Sequence, residues 1–543
     1  MKRRLALLVA VSAVGLMAVT LVAADEADRW WAHVTFLADD RLQGRDAGSE
    51  GHREAARYVA AQFERNGLQP GGLDGYLQPV RFRSRRILED KSGLSLETDG
   101  RTVPVVLGDE ATFNMRIDAA PSVTAPIVFA GYGLTVPEVN YDDLAGLDLR
   151  GKVVLLLTGG PSHIPGPLLA HYQSVRWSIL KETGAIGVIA IANPRGMDIP
   201  WERSMSARLL PSVTLVDPTL DETVGQQLSI TVNPARAEKF FAGSGHSFKE
   251  ILAEADKGQP LPRFPIPATV RATVATATQD IESQNVVGIL PGSDAALKDQ
   301  YVVLSAHLDH LGVGAPVNGD RIFNGAMDNG AGIATLIETA AAIRASGRPL
   351  KRSIVFLAVT AEEKGLLGSR YFAAHPSLPP AAPRPAGLAG RPGGVVANLN
   401  TDMFLPLFPL RSVIVQGLEE SDLAGDLRRA AEPLGIRVLS DPEPERNAFV
   451  RSDQYSFIRR GIPALSLKAG FDRDSPEHEI VKRWRTERYH APSDDLSQPV
   501  DFKAAADFNR LYVDVVAAVA NRADRPQWNT DSFFRRFVGQ VGP

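Results

Sequence analysis

Residues 301–312 read YVVLSAHLDHLG, and this run decides the fold class. Positions 301–306 are apolar or small without a break, which suits a strand covered on both faces, as in a parallel sheet, rather than one with a wet side. Apolar runs at 353–359, 395–399, 412–415 and 463–467 read the same way. Between and after them, apolar residues at helical spacing predict helices over 329–345, 365–374, 421–433 and 501–520. Strands alternating with helices predict the α/β class, with a doubly wound, mostly parallel sheet flanked by helices.

In such a sheet the carboxyl ends of the strands converge on one crevice, so residues distant in sequence meet there. The residues at those ends are of one chemical kind. His307 and Asp309 follow the first strand, Asp328 opens the next helix in NGAMDNGAG, and Glu362 and Glu363 follow the second strand in TAEEKG. Asp402 follows the third in NLNTDMF, and His490 lies in RYHAPSDD. Each has an ordinary reading alone: paired acids favour the first turn of a helix, and Asp328 can be an N-cap. Together they form a set of imidazoles and carboxylates suited to a divalent cation, zinc being the commonest hydrolytic one. A carboxylate shared between two ions would let the pair act on one carbonyl.

Composition narrows the field further. The 63 acidic and 59 basic residues leave a formal charge of −4, which lacks the footprint of a nucleic-acid binder. The absence of cysteine from all 543 residues removes disulfides, thiolate metal sites and cysteine nucleophiles, so any metal must rest on His, Asp and Glu. Lys2, Arg3 and Arg4 precede an apolar run that ends in small residues at Ala24, the pattern of an export signal cut near Ala24, with an uncleaved anchor as the alternative. The mature chain is therefore expected in the periplasm or outside the cell, with no stable membrane insertion. The expected divisions are a signal at 1–24, an N-terminal part of the main domain at 25–111, a β-rich insert at 112–266, the remaining main domain at 267–525 and a tail at 526–543. Ser49 is expected to cap a lead-in helix with Ala55, Ala56, Val59, Ala60 and Phe63 on its apolar face. The proline-rich 261–267 reads as a linker, and the Pro/Gly-rich 376–394 as a loop.

His307-x-Asp309, Asp328-Asn329, Glu362-Glu363, Asp402 and Tyr489-His490 resemble the ordered motifs of the co-catalytic zinc aminopeptidases, bacterial exopeptidases of the aminopeptidase S and Y type. The stretch 36–70, with DRLQGRDAGSEG, resembles that family's lead-in segment, and GYGLTVPEVNYDDLAGLDLRGKVVLLL at 131–157 resembles an inserted protease-associated domain. The resemblance implies the zinc exopeptidase fold and two zinc ions per chain. It implies that His307 and Asp402 bind one ion, Glu363 and His490 the other, and Asp328 both. It also implies a cis peptide bond between Asp328 and Asn329. Gln454 departs from the family's usual His.

On this reading Glu362 is the general base, left free while its neighbour Glu363 is tied to metal. Asp309 orients His307 through its second ring nitrogen, and Tyr489 donates to the oxyanion. His310 reads as a loop residue, and Trp177, Trp201 and Arg203 as residues buried within the insert. The leading expectation is an exported aminopeptidase acting on peptides. Alternatives on the same fold are a carboxypeptidase using Arg451 or Lys468, another amide hydrolase such as a glutaminyl cyclase, and a catalytically silent binding protein.

Overall fold

The computed structural model describes residues 26–379, apart from 198 and 207, and residues 393–539. The expected signal at 1–24, positions 380–392 of the Pro/Gly-rich stretch and residues 540–543 lie outside these described residues.

A ten-stranded sheet forms the centre. Its main strands are β1 (Leu77–Ile87), β2 (Ser212–Leu215), β3 (Thr276–Leu290), β4 (Gln300–His307), β5 (Ser353–Val359), β6 (Gly394–Asn400), β7 (Ser412–Gln416), β8 (Arg437–Leu439) and β9 (Ala464–Ala469). They run in the order β2-β1-β3-β5-β4-β6-β9-β7-β8, and Gln69–Pro70 pairs with β3 at the side. The middle four, β5-β4-β6-β9, are mutually parallel, with strands of opposite sense on either flank. Burial on both faces explains their unbroken apolar sequences. Val302, Leu304 and Ala306 join one core cluster, while Tyr301 and Val303 join another on the opposite side. Truncating a side chain such as Leu304 to Ala would cost about 2–5 kcal/mol.

Helices cover both faces. The lead-in helix α1 (Glu50–Arg65) starts where Ser49 accepts the N–H of His52, and it buries Ala55, Ala56, Val59 and Phe63. Helix α2 (Ala331–Ser346) is buried on nearly every side, and α3 (Phe502–Asn521) packs against it within the same cluster. Among the described residues no helix is long and apolar enough to cross a membrane.

An eight-stranded sheet forms the second body. It takes in Gly93–Thr98 and Arg101–Pro104 ahead of position 112, and Arg263–Thr273 beyond 266. Residues 261–267 are thus not a linker. Arg263–Thr273 is a strand: Pro267 falls where the register shifts between Ile266 and Thr269, and Pro265 pairs with Val128 where the strand has a neighbour on one side only. The two bodies interlock, since β2 leaves the insert to pair with β1 of the central sheet. The tail docks through Phe534 and Phe537, which are buried with Tyr455, Ile458 and Trp528.

Candidate metal centre

The parallel strands deliver their terminal side chains to one place. His307 ends β4, the turn after β5 carries Glu362 and Glu363, and Asp402 follows β6. Asp328 stands before α2, joined to Asn329 by a cis peptide bond. Asn329 ties the segment down by donating to the Thr401 carbonyl at 2.9 Å and accepting from the Gly332 N–H at 3.0 Å.

The Asp328 carboxylate lies between two groups of donors. On one side, its Oδ1 is 3.1 Å from His307 Nε2, which also lies 3.4 Å from Asp402 Oδ1. On the other, its Oδ2 is 3.4 Å from His490 Nε2, which lies 3.2 Å from Glu363 Oε2. Asp328 Oδ2 and Asp402 Oδ1 are buried and complete no hydrogen bond. Buried carboxylate oxygens that face imidazoles without bonding to them suit a shared cation. One oxygen or nitrogen from each of His307, Asp328 and Glu363 lies within 4.8 Å of the others, close enough to hold an ion.

Electrostatics follow from this crowding. Burial opposes a charged imidazole at His307, but Glu362, Asp328 and Asp402 outweigh it and raise its pKa well above the usual value. The same contest, with Glu363 and Asp328 as the acids, lifts His490 to about 10. Burial and the repulsion of Asp453, Glu363 and Asp402, against the pull of His307, raise the Glu362 carboxyl well above its ordinary range. Burial, with Asp328 and Glu363 beside it, also keeps Tyr489 protonated.

The supporting contacts differ in part from the sequence-based expectation. Asp309 orients His307 with its main chain, whose carbonyl lies 3.0 Å from Nδ1. Its carboxylate is turned to the N–H groups of Glu362 and Glu363. His310 is no plain loop residue: fully buried, it sets Nδ1 2.7 Å from Glu363 Oε1. Trp177 and Trp201 are buried in the insert, donating to the carbonyls of Val224 and Gly108. Arg203 instead reaches across to the Tyr489 carbonyl at 3.0 Å.

Two residues went unassigned in the sequence. Asp494, in the quoted RYHAPSDD, accepts the N–H groups of Met327 and Asp328 at 3.0 Å each. Arg45, in DRLQGRDAGSEG, is wholly buried and donates to the carbonyls of Leu37, Leu308, Asn324 and Gly325, tying the lead-in segment to two ligand-bearing loops. Burial pulls its pKa down to about 10 against the attraction of Asp494 and Asp309, so it stays charged.

A cavity of ≈ 80 Å³ opens on the centre. Glu362, Tyr489 and His490 line it together with Asp328, Glu363 and Asp402.

A parallel α/β centre with these His, Asp and Glu donors at its carboxyl edge is the zinc exopeptidase fold. Residues 285–516 match the model of Peptidase family M28. Aminopeptidase YwaD of Bacillus subtilis (strain 168) is 29% identical over 217 residues, covering 39% of this chain and 40% of that relative's length. The aminopeptidase from Aneurinibacillus sp. strain AM-1 shares the fold at a TM-score of 0.53 and 20% identity, over 93% of this chain and 98% of the other. BSAP, a zinc aminopeptidase from Bacillus subtilis, aligns at a TM-score of 0.48 and 20% identity, over 91% of this chain and 95% of its own.

Proposed function

We propose that this chain is an exported aminopeptidase that removes N-terminal residues from peptides with two zinc ions, one held by His307 and Asp402, one by Glu363 and His490, and both by Asp328. The observation that carries the reading is the position of Asp328, whose two oxygens face separate imidazoles at 3.1 and 3.4 Å. Export rests on the Lys2–Ala24 pattern, and the insert is read as a protease-associated domain over the centre.

When bound, zinc polarises a carbonyl and acidifies water. Glu362, acting as its carboxylate, accepts a proton from the attacking water and returns it to the leaving amine, and burial with the acids around it makes that carboxylate the stronger base. Tyr489 keeps its hydroxyl proton and donates it in a hydrogen bond to the developing oxyanion. Asp309 contributes as a positioning residue through its bonds to His307 and the Glu362-Glu363 turn. A carboxypeptidase on the same centre is the second reading, supported by Arg451 and Lys468 in the cavity wall.

The test is hydrolysis of amino-acid anilides by zinc-loaded protein. Free anilides should be cleaved and N-acetylated ones should be nearly inert, because acetylation abolishes the charged amine. Equal rates on both, with sensitivity to C-terminal amidation, would favour the carboxypeptidase.

A further inference from the structure

His310 meets the centre without belonging to the proposed ligand set. Its side chain is fully buried, and Nδ1 lies 2.7 Å from Glu363 Oε1. The next acid, Asp328 through Oδ2, is 3.9 Å from the same nitrogen and beyond hydrogen-bond reach. Among the described residues Nδ1 therefore serves Glu363 alone. The other ring nitrogen, Nε2, is buried and has no hydrogen-bond partner among them. A proton there would be a buried donor without an acceptor, so Nδ1 carries the proton and donates it to Oε1.

The fold holds the ring in this pose. The His310 N–H donates to the Arg45 carbonyl at 3.3 Å, while the Arg45 guanidinium donates to the carbonyls of Leu308 at 2.9 Å and Gly325 at 3.0 Å. Gly325 packs directly on the imidazole: a Cβ at that position would stand 2.6 Å from the ring's Cγ, so only glycine leaves room. The two oxygens of Glu363 are thus divided. A fixed ring engages Oε1, and Oε2 is the one turned to His490, at 3.2 Å.

We propose that His310 is a positioning residue for the metal centre: by holding Oε1 it makes Glu363 a one-oxygen ligand and directs Oε2 to the ion shared with His490. The inference rests on the ligand set proposed above. An unrestrained carboxylate offers a metal either one oxygen or both. Hydrogen bonds to a ligating carboxylate fix that choice, and removing such a partner typically costs about 10- to 100-fold in metal affinity.

Two measurements on the full chain test this. A crystal structure of the zinc-loaded protein should show Glu363 bonding zinc through Oε2 alone, at about 2.0–2.2 Å, with Oε1 still on His310 Nδ1. Zinc bonded to both oxygens, or to Nδ1 itself, would overturn the inference. The second measurement is metal titration of variants. His310→Leu should bind one zinc ion about 10- to 100-fold more weakly and leave the other unchanged. Its cobalt-substituted form should lose visible absorption as Oε1 turns to the metal and raises the coordination number. His310→Asn, whose amide N–H stands near the place of Nδ1, should restore both affinity and spectrum. A His310→Leu chain that matches wild type in both, or a His310→Asn chain no better than His310→Leu, would count against the positioning role. Should His310→Leu fail to fold, the wild-type crystal structure still decides. Saturation at a single zinc bonded by Glu363 Oε2 alone would retract the two-metal reading and leave this inference standing, whereas zinc held without Glu363 would sink both.

Discussion

The carboxylate of Asp309 accepts the main-chain N–H of Glu362 at 3.0 Å through Oδ1, while its Oδ2 takes the N–H of Glu363 at 3.3 Å. A residue two positions beyond His307 thereby fixes the turn that carries the proposed base and its neighbour. Because its own carbonyl engages His307 Nδ1, the same residue couples β4 to the turn after β5. Burial, only partly opposed by His307, lifts its carboxyl to about 7.

Asp309→Asn separates the two jobs. The amide offers one oxygen to two N–H groups and turns its NH₂ toward the other, leaving a buried donor unpaired at about 1–3 kcal/mol. His307 keeps its main-chain partner, so the variant should retain its metal and lose about 10- to 100-fold in kcat. Metal analysis with steady-state kinetics checks this. Loss of metal with an unchanged kcat per bound metal would mean that the carboxylate acts on the imidazole.

Glu362→Gln keeps the shape of the side chain and removes its ability to take a proton. The variant should bind metal normally and lose about 10²-fold or more in turnover. Glu363→Gln should weaken metal binding instead, because Glu363 faces both His490 and His310. A fully active Glu362→Gln would show that the base lies elsewhere.

Asp494→Ala strips two buried N–H groups, those of Met327 and Asp328, of their acceptor. At about 1–3 kcal/mol for each unpaired group, stability should fall by about 2–6 kcal/mol, and metal affinity should fall with it. Denaturant melts of the metal-free and loaded variant read both effects. A melt superimposable on wild type would remove Asp494 from the support of Asp328.

What could be read in the sequence divides along a physical line. Strands 301–306 and 353–359 were legible because burial on both faces demands continuous apolar residues, and His307, Glu363 and Asp402 stood out as candidate donors because each follows a strand of that kind, whereas Asp328 precedes a helix and His490 follows one. The flanking strands β1 and β3 were hidden by charges such as Arg83 and Asp280, which meet across the ladder and resemble loop sequence when read singly. Asp494 and Arg45 were unreadable for another reason. Their partners are main-chain groups, which carry no residue-type signature. His310 reads as a loop residue in the sequence, whereas folding places Glu363 against it.

The metal-free centre should respond to pH with a definite sign. His490 titrates near 10 in the fold and near 6.5 when unfolded, so its contribution is fully present below about 6.5 and is lost as pH rises toward 10. Asp309, raised by burial to about 7, acts in the same direction from about pH 4 to 7. Metal must displace the His490 proton, so zinc affinity should climb through this window. Calorimetry in buffers of different ionisation enthalpy should register proton release, and the metal-free Tm should fall from pH 6 to 10. An affinity independent of pH would contradict the paired histidine.

The insert touches both halves of the proposed machinery. Arg116 donates to the Glu363 carbonyl at 2.9 Å, and Arg203 donates to the Tyr489 carbonyl at 3.0 Å. Both acceptors are main-chain groups of residues that line the cavity, so the contacts restrain the turn after β5 and the loop before His490. Neutral truncation should cost little stability, because the donors lie at the edge of the interface and regain water. The cost should appear in function, where loosening a restrained turn by about 1 kcal/mol corresponds to roughly a fivefold loss. Arg116→Ala should lower kcat, since its contact is with the proposed catalytic turn, while Arg203→Ala should act through the Tyr489 loop and slow the step that develops the oxyanion. Their Tm should stay close to wild type and their zinc content unchanged. If both variants instead match wild type in kcat and differ only on long peptides, the insert serves to limit substrate size and does not brace the centre.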